Sequence, residues 1–414
     1  MFVEPKDSKE LIDSMLPIIV ESQKYTELVH IIKYMGSKKP ILNFVLDQIS
    51  AITPVNGIVC DLFSGSCSIS AGLRNQYSVI SNDIQSYSEV FAETYFSDFA
   101  QYIPEEVYDD IERASRIHVS ELYRIFPEIF DDFYKLGTVV GFAEFERKQR
   151  GLINKDFNGV DYYLFTKFYS GTYWSFQQCV WIDSLRKTAE TYRNTPIYNA
   201  ILSSLMYAMS YTSQSTGHFA QYRDGSTDAA IVNILTYRQK SISKLFKKKF
   251  AQLLDTYKSI GKELITYSFD FKDCLDLLPE GITVYADPPY APVHYSRFYH
   301  ALETLVRYDY PKLEHKGRYR TDRHQSPFSQ KGNAPKAFSD MFERIAQKKC
   351  QMVLSYSGTA VISIEEVTSL LPAYFSKANY QIKTLAIDYK HSTMGRAEDK
   401  HRDVTEYLII AKNK

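Results

Sequence analysis

"GIVCDLFSGSCSIS", residues 57–70, changes character in its middle. Its first half is a short apolar run that stops at Asp61; its second half is small and turn-prone before "AGLR" resumes a helix-compatible pattern. That order predicts a strand, a tight loop and a helix. Residues 78–84, "SVISNDI", repeat the strand pattern and finish at a second acid, Asp83. Together the two segments predict one βαβ unit with a carboxylate at each strand end.

Working outward, residues from about 85 to 260 turn to long, aromatic-rich, helical patterns such as "LRKTAETYR" and "ILSSLMYAMSY". Strand patterns return in "ELITYSFDF" (263–271), "ITVYADPPY" (282–290) and "CQMVLSYS" (350–357), the last followed by a helix through "SIEEVTSLLP". "QIKTLAIDYK" and "TEYLIIAKN" predict two closing strands. The expected architecture is an α/β domain with a mainly parallel sheet, split in sequence into 1–84 and 262–414 around a mainly helical insertion at 85–261.

The 414 residues, 44% hydrophobic, are enough for a large core. No run of 18 apolar residues occurs, and "MFVEPKDSKELIDSMLP" is too polar for a signal peptide, so a cytoplasmic location without membrane contact is expected. Five scattered cysteines without a CxxC pair support neither a disulfide framework nor a zinc site, and no metal is expected. Charges balance at 49 basic and 49 acidic residues, so only local charge can mark a nucleic-acid surface.

The loop "DLFSGSCS" lets backbone amides approach a ligand near a helix N-terminus. It lacks GxGxxG spacing and any Lys-Ser/Thr, which disfavours a pyrophosphate. Asp83, 22 residues after Asp61, sits near the spacing at which an acid accepts from ribose hydroxyls, so a nucleoside without phosphates fits better. Each acid alone is equally consistent with a turn or helix cap. Asp287-Pro288-Pro289-Tyr290 then ends a later strand, on the edge expected to hold Asp61 and Asp83. The prolines stiffen the loop and remove donors, leaving outward carbonyls beside a carboxylate. Such a pair accepts both protons of one amino group, and Tyr290 can stack on the ring that bears it.

Asp61-Leu62-Phe63-Ser64-Gly65-Ser66 followed by Asp287-Pro288-Pro289-Tyr290 resembles the S-adenosylmethionine-dependent DNA adenine-N6 methyltransferases of the α motif order. Lys33-Tyr34-Met35-Gly36-Ser37-Lys38 looks like that family's N-terminal cofactor motif, Asp270-Phe271 is placed like its adenine-contacting acid, and "TEYLII" is similar to its last strand. The resemblance implies a Rossmann-like class I methyltransferase fold with an antiparallel last strand and a target-recognition insertion. It implies Asp287, Pro288, Pro289 and Tyr290 as catalytic residues. Lys33, Tyr34, Gly36, Lys38, Asp61, Phe63, Gly65, Ser66, Asp83, Ile84, Asp270 and Phe271 would hold S-adenosyl-L-methionine. The implied reaction is methyl transfer to N6 of an adenine flipped out of double-stranded DNA, in a restriction-modification or related marking system with a separately encoded restriction enzyme as counterpart. Cys67 departs from the pattern, standing where the family has a glycine or other small residue. "GTYWSFQQCVWIDSLR" (171–186) and "STGHFAQYR" (215–223) look like segments of some restriction-system adenine methylases.

Two stretches are locally basic. Residues 237–250 hold six basic and no acidic side chains, and 312–336 hold seven Lys or Arg against two acids. They make Lys244, Lys247, Lys248, Arg318, Tyr319, Arg320 and Arg323 the DNA-binding candidates. The helical spacing of Ile242, Leu245, Phe250 and Leu253 equally suits a solvated lysine face. Rival readings are a cytosine-N4 or RNA amino-methyltransferase of the same fold, and a nucleic-acid-binding module without catalysis.

Overall fold

The computed structural model describes residues 28–36, 38–129, 141–215, 218–292, 295–358, 360–376, 379–392 and 401–414. Nine strands are present among them: β1 (Ile58–Asp61), β2 (Ser78–Asn82), β3 (Leu264–Tyr267), β4 (Thr283–Ala286), β5 (Leu313–Glu314), β6 (Tyr319–Arg320), β7 (Gln351–Ser357), β8 (Tyr380–Ser392) and β9 (His401–Asn413). Seven form one sheet in the order β3-β2-β1-β4-β7-β9-β8, while β5 and β6 make a separate hairpin. β3, β2, β1, β4 and β7 pair in parallel, and β9 runs antiparallel between β7 and β8.

The central strands read as continuous apolar runs because both of their faces are covered. Alternate residues go to opposite sides. Val59, Val79, Tyr285, Val353 and Leu408 join one apolar cluster, and Cys60, Ile80, Val284, Met352 and Ile409 join the other. Helices Phe271–Leu277, Ala334–Gln347 and Ile364–Phe375 cover the second face. The first is covered by helices Leu42–Ile52, Ser86–Phe96 and Tyr295–Arg307, together with helices of the long segment between β2 and β3. That segment shares its apolar cluster with the sheet: Leu164, Trp174, Met206 and Phe246 belong to the same packed set as Val59 and Val79. The stretch 171–186 lies at its centre, where the Trp174 indole donates to the Met209 carbonyl at 3.1 Å and Ser175 with Gln178 closes a capping box on helix Phe176–Ala189.

Two local expectations change. β3 stops at Tyr267, so Asp270 does not end a strand; its carboxylate caps helix Phe271–Leu277 by accepting from Lys272 N at 3.0 Å. The 312–336 stretch is not merely turns, since Glu314 and Tyr319 pair across the short β5–β6 hairpin. Among the described residues no helix is long and apolar enough to cross a membrane.

Candidate active site

Register places the acids. β1 pairs in parallel with β2 on one side and β4 on the other, with Asp61 opposite Ser81 and Tyr285. Asp83 and Asp287 each stand two residues beyond those partners, so all three carboxylates share the C-terminal edge of the sheet. An open cavity of about 1140 Å³ joins them and is lined by Asp61, Asp83, Asp287 and Tyr290 together. Tyr34, Gly36, Lys38, Phe63, Gly65, Ser66, Ile84, Asp270, Phe271, Pro288 and Pro289 line it too. Lys33 does not: its exposed ammonium lies 5.0 Å from the Tyr211 ring.

The first loop explains its own composition. Gly65 has φ 51°, and a Cβ there would sit 3.0 Å from the Tyr34 ring, so this position needs glycine twice over. Tyr34 is fixed by stacking on Tyr299 at 4.5 Å. Cys67 takes φ 55°, a conformation costing an L-residue about 1–2 kcal/mol, which is why a glycine suits it. Burial and its thiol, within 3.1 Å of the Ser88 carbonyl, hold it there.

Asp61 is buried and accepts from Ser70 N at 3.1 Å and Ser70 Oγ at 2.7 Å. Burial outweighs those bonds and pushes its carboxyl up to about 7. Asp83 accepts from Gly65 N and Gln85 N, both at 2.9 Å, and burial lifts it to about 6. Neither acid has a cationic partner among the described residues. Phe63, Phe271 and Phe328 pack against one another beside them.

The Asp287 end is built differently. Lys38, expected at the cofactor, is 4% exposed and bridges two carboxylates, Asp287 at 2.9 Å and Glu406 at 3.0 Å. Burial opposes its charge, but the two acids override that and hold the ammonium well above its usual range. Ser355 Oγ donates to Glu406 at 2.6 Å, and Lys38 Nζ lies 3.4 Å from the Tyr290 hydroxyl. Burial raises the Asp287 carboxyl to about 6, with Lys38 opposing and Glu406 adding to the rise. In the proline loop, the Pro289 carbonyl accepts from Ser329 Oγ at 2.7 Å and the Tyr290 carbonyl from Val361 N at 3.0 Å. The loop's carbonyls are therefore not all free. The Pro288 carbonyl, beside Asp287, makes no hydrogen bond among the described residues.

Several contributors had no sequence motif. Tyr295, Ser296, His324, Ser326 and Pro327 line the same cavity from segments without helical or strand periodicity or from the helix after the loop. Glu406 did leave a signal: an acid inside the buried run "TEYLII" must meet a cation.

The basic candidates separate. Tyr319 is 6% exposed and its hydroxyl donates to the Ala220 carbonyl, and Arg320, 2% exposed, is clamped by Asp309 at 2.6 Å and Asp322 at 2.9 Å. Arg320 is held by those carboxylates because a buried guanidinium needs neutralising partners, and Arg320 and Tyr319 each border one of two polar cavities. The carbonyl of Arg318 accepts from the Tyr169 hydroxyl, and its half-buried side chain has Nη1 enclosed without a partner. Arg323 lines two polar cavities next to the site. Lys244, Lys247 and Lys248 are exposed on helix Ile242–Thr256, opposite its buried Phe246 and Phe250 face, and do not line the cavity. His218 packs its ring 4.4 Å from Phe298.

This strand order, with one antiparallel strand and a cavity at the parallel strands' C-terminal edge, is that of a class I methyltransferase fold. A model of the family described as D12 class N6 adenine-specific DNA methyltransferase matches residues 34–369, and the chain belongs to that family. It is similar to Modification methylase LlaI of Lactococcus lactis subsp. lactis, 23% identical over 85% of this chain and 50% of that protein. Modification methylase StsI of Streptococcus sanguinis is 23% identical over 92% and 52%, and Type II methyltransferase M.FokI of Planomicrobium okeanokoites 24% over 91% and 52%. The chain spans about half the length of the curated relatives it matches.

Proposed function

We propose that this chain transfers a methyl group from S-adenosyl-L-methionine to N6 of an adenine flipped out of double-stranded DNA, as the modification partner of a separately encoded restriction enzyme. The observation that carries the reading is one cavity with a nucleoside-type acid at one end and the Asp287-to-Tyr290 acceptor at the other.

The residues present suit the cofactor. Gly65 lets the loop lie against the Tyr34 ring in the cavity wall, and Asp83, bonded to backbone amides, keeps lone pairs for a ribose hydroxyl. Asp61, Asp83 and Asp270 face the cavity, so that end suits a cationic ligand. When bound, the cofactor supplies an electrophilic methyl group.

At the other end, Asp287 and the Pro288 carbonyl accept the two protons of the exocyclic amine. Two fixed acceptors draw the nitrogen's lone pair out of conjugation and aim it across the cavity. Tyr290 offers its face to the purine while Tyr356 supports it edge-on at 5.6 Å. Extruding the base costs a few kcal/mol, which stacking returns in part. The helical segment at 85–261 serves as the target-recognition insertion. Mass spectrometry of nucleosides from DNA treated with the chain and isotopically labelled cofactor is expected to show labelled N6-methyladenine. Labelled N4-methylcytosine, label confined to RNA, or cofactor binding without any transfer would each refute it.

A further inference from the structure

Three buried guanidiniums of this chain meet carboxylates, while buried Arg74 donates to the Ser259 carbonyl instead. Arg320 has Asp309 and Asp322, Arg238 meets Glu146 at 2.9 Å, and Arg186 meets Glu190. One cavity beside the β5–β6 hairpin gathers two half-buried arginines that lack such partners. Arg297 and Arg323 face it together with Lys316, His315, Gln221 and Tyr319. Lys316 is already paired with Asp224. Among the described residues neither arginine meets a carboxylate: Arg297 lies 5.5 Å from the Phe298 ring with its Nε enclosed and unbonded, and Arg323 donates Nε to the Arg320 carbonyl at 2.9 Å. Two like charges around one partly dehydrated space repel unless an anion enters.

The position matters as much as the charge. Arg297 directly follows Ser296, a wall of the catalytic cavity. Arg323 also lines a neighbouring polar cavity that shares Ile84, Gln85, Ser296 and His324 with the catalytic one. Arg323 thus stands between the hairpin cavity and the one that borders the catalytic cavity. Arg323 is held ready by the Arg320 carbonyl and by the Tyr319 ring 4.8 Å away, so little side-chain freedom is left to lose on binding.

We propose that Arg297 and Arg323 clamp one phosphodiester of the DNA backbone next to the flipped adenosine. The clamp rests on the adenine reading of the neighbouring cavity. A planar guanidinium fork matches two phosphate oxygens at once, and two forks from different elements fix the strand's register as the base leaves the stack. Arg320, read in the sequence as a DNA contact, instead builds the hairpin that presents Arg323.

Fluorescence anisotropy with a short DNA duplex between about 50 and 200 mM salt tests the clamp, because each neutralised phosphate adds roughly one to the slope of log affinity against log salt. The double variant Arg297→Gln, Arg323→Gln is expected to bind more weakly and lose roughly one unit of slope, with cofactor affinity unchanged. The double lysine variant, which keeps the charge, is expected to retain the slope. An unchanged slope in the glutamine pair, or a defect confined to cofactor binding, would overturn the assignment. If that pair does not fold, Arg297→Gln alone decides, since it strands no carboxylate; Arg323 still neutralises the phosphate there, so the readout is affinity at about 50 mM salt, expected to weaken, and wild-type affinity overturns the clamp. Wild-type chain that methylates DNA while the glutamine variants keep the slope loses only the clamp. Wild-type chain that transfers nothing to adenine loses the reading beneath it.

Discussion

The two ends of the sheet-edge cavity are lined by acids of the same edge, yet they are neutralised by opposite means. Asp61 and Asp83 are satisfied by backbone amides and a serine hydroxyl, with no cation among the described residues. Asp287 shares a buried lysine with a second acid, Glu406. The difference teaches what each end is built to receive. Carboxylates left without a counter-ion in a buried site attract a ligand that brings positive charge. A carboxylate half-compensated by Lys38 does not call for a further cation, which suits the neutral amine of the proposed function.

The comparison can be broken most severely at Lys38. Lys38→Met leaves Asp287 and Glu406 buried together without their cation, and stability measured by chemical denaturation should fall by about 3–5 kcal/mol. Loss of less than the scatter of such measurements would show that the bridge is not what holds the two acids. Next in size, Asp287→Ala should lower the methyl-transfer rate by about 10²–10³-fold while cofactor affinity, measured by calorimetry, stays unchanged. Equal damage to both would merge the two ends into one.

Asp83→Ala should do the converse. Removing an ionised acceptor costs about 1.5–3 kcal/mol, so cofactor binding should weaken roughly ten- to a hundredfold with the transfer rate at saturation little altered. The smallest effect sharpens the contrast through pH. The Asp287 carboxyl, raised to about 6, accepts most strongly when ionised, so activity should fall as pH drops through about 6. Glu406 contributes to that rise, and Glu406→Gln should move the acid limb of the pH–rate profile to lower pH. A limb that stays put would remove Glu406 from the site's electrostatics.

Much of the site was legible. Acids following short apolar runs mark the C-terminal tips of parallel strands, and the glycine at 65 and proline pair at 288–289 announce backbone demands that few other residues meet. Lys38 was legible as a motif residue but not in its partner, because Glu406 lies 368 positions away on the antiparallel strand β9. The basic segment was legible only in part for a related reason. Seven cations against two acids suggested a DNA surface, but Asp322 and the more distant Asp309 consume Arg320, and a tyrosine beside arginines reads the same whether it faces DNA or Ala220.

By itself the sequence determined the element types, the alternation of strand and helix, and the short loops that carry the chemistry, since these rest on neighbours within a few residues. Only the tertiary structure decided which charges cancel, which carbonyl of the proline loop is left to accept, and which arginines remain uncompensated. Those outcomes depend on residues brought together across the sheet and on how much water they keep. Desolvation and pairing arise from three-dimensional proximity, and no local pattern along the chain encodes them.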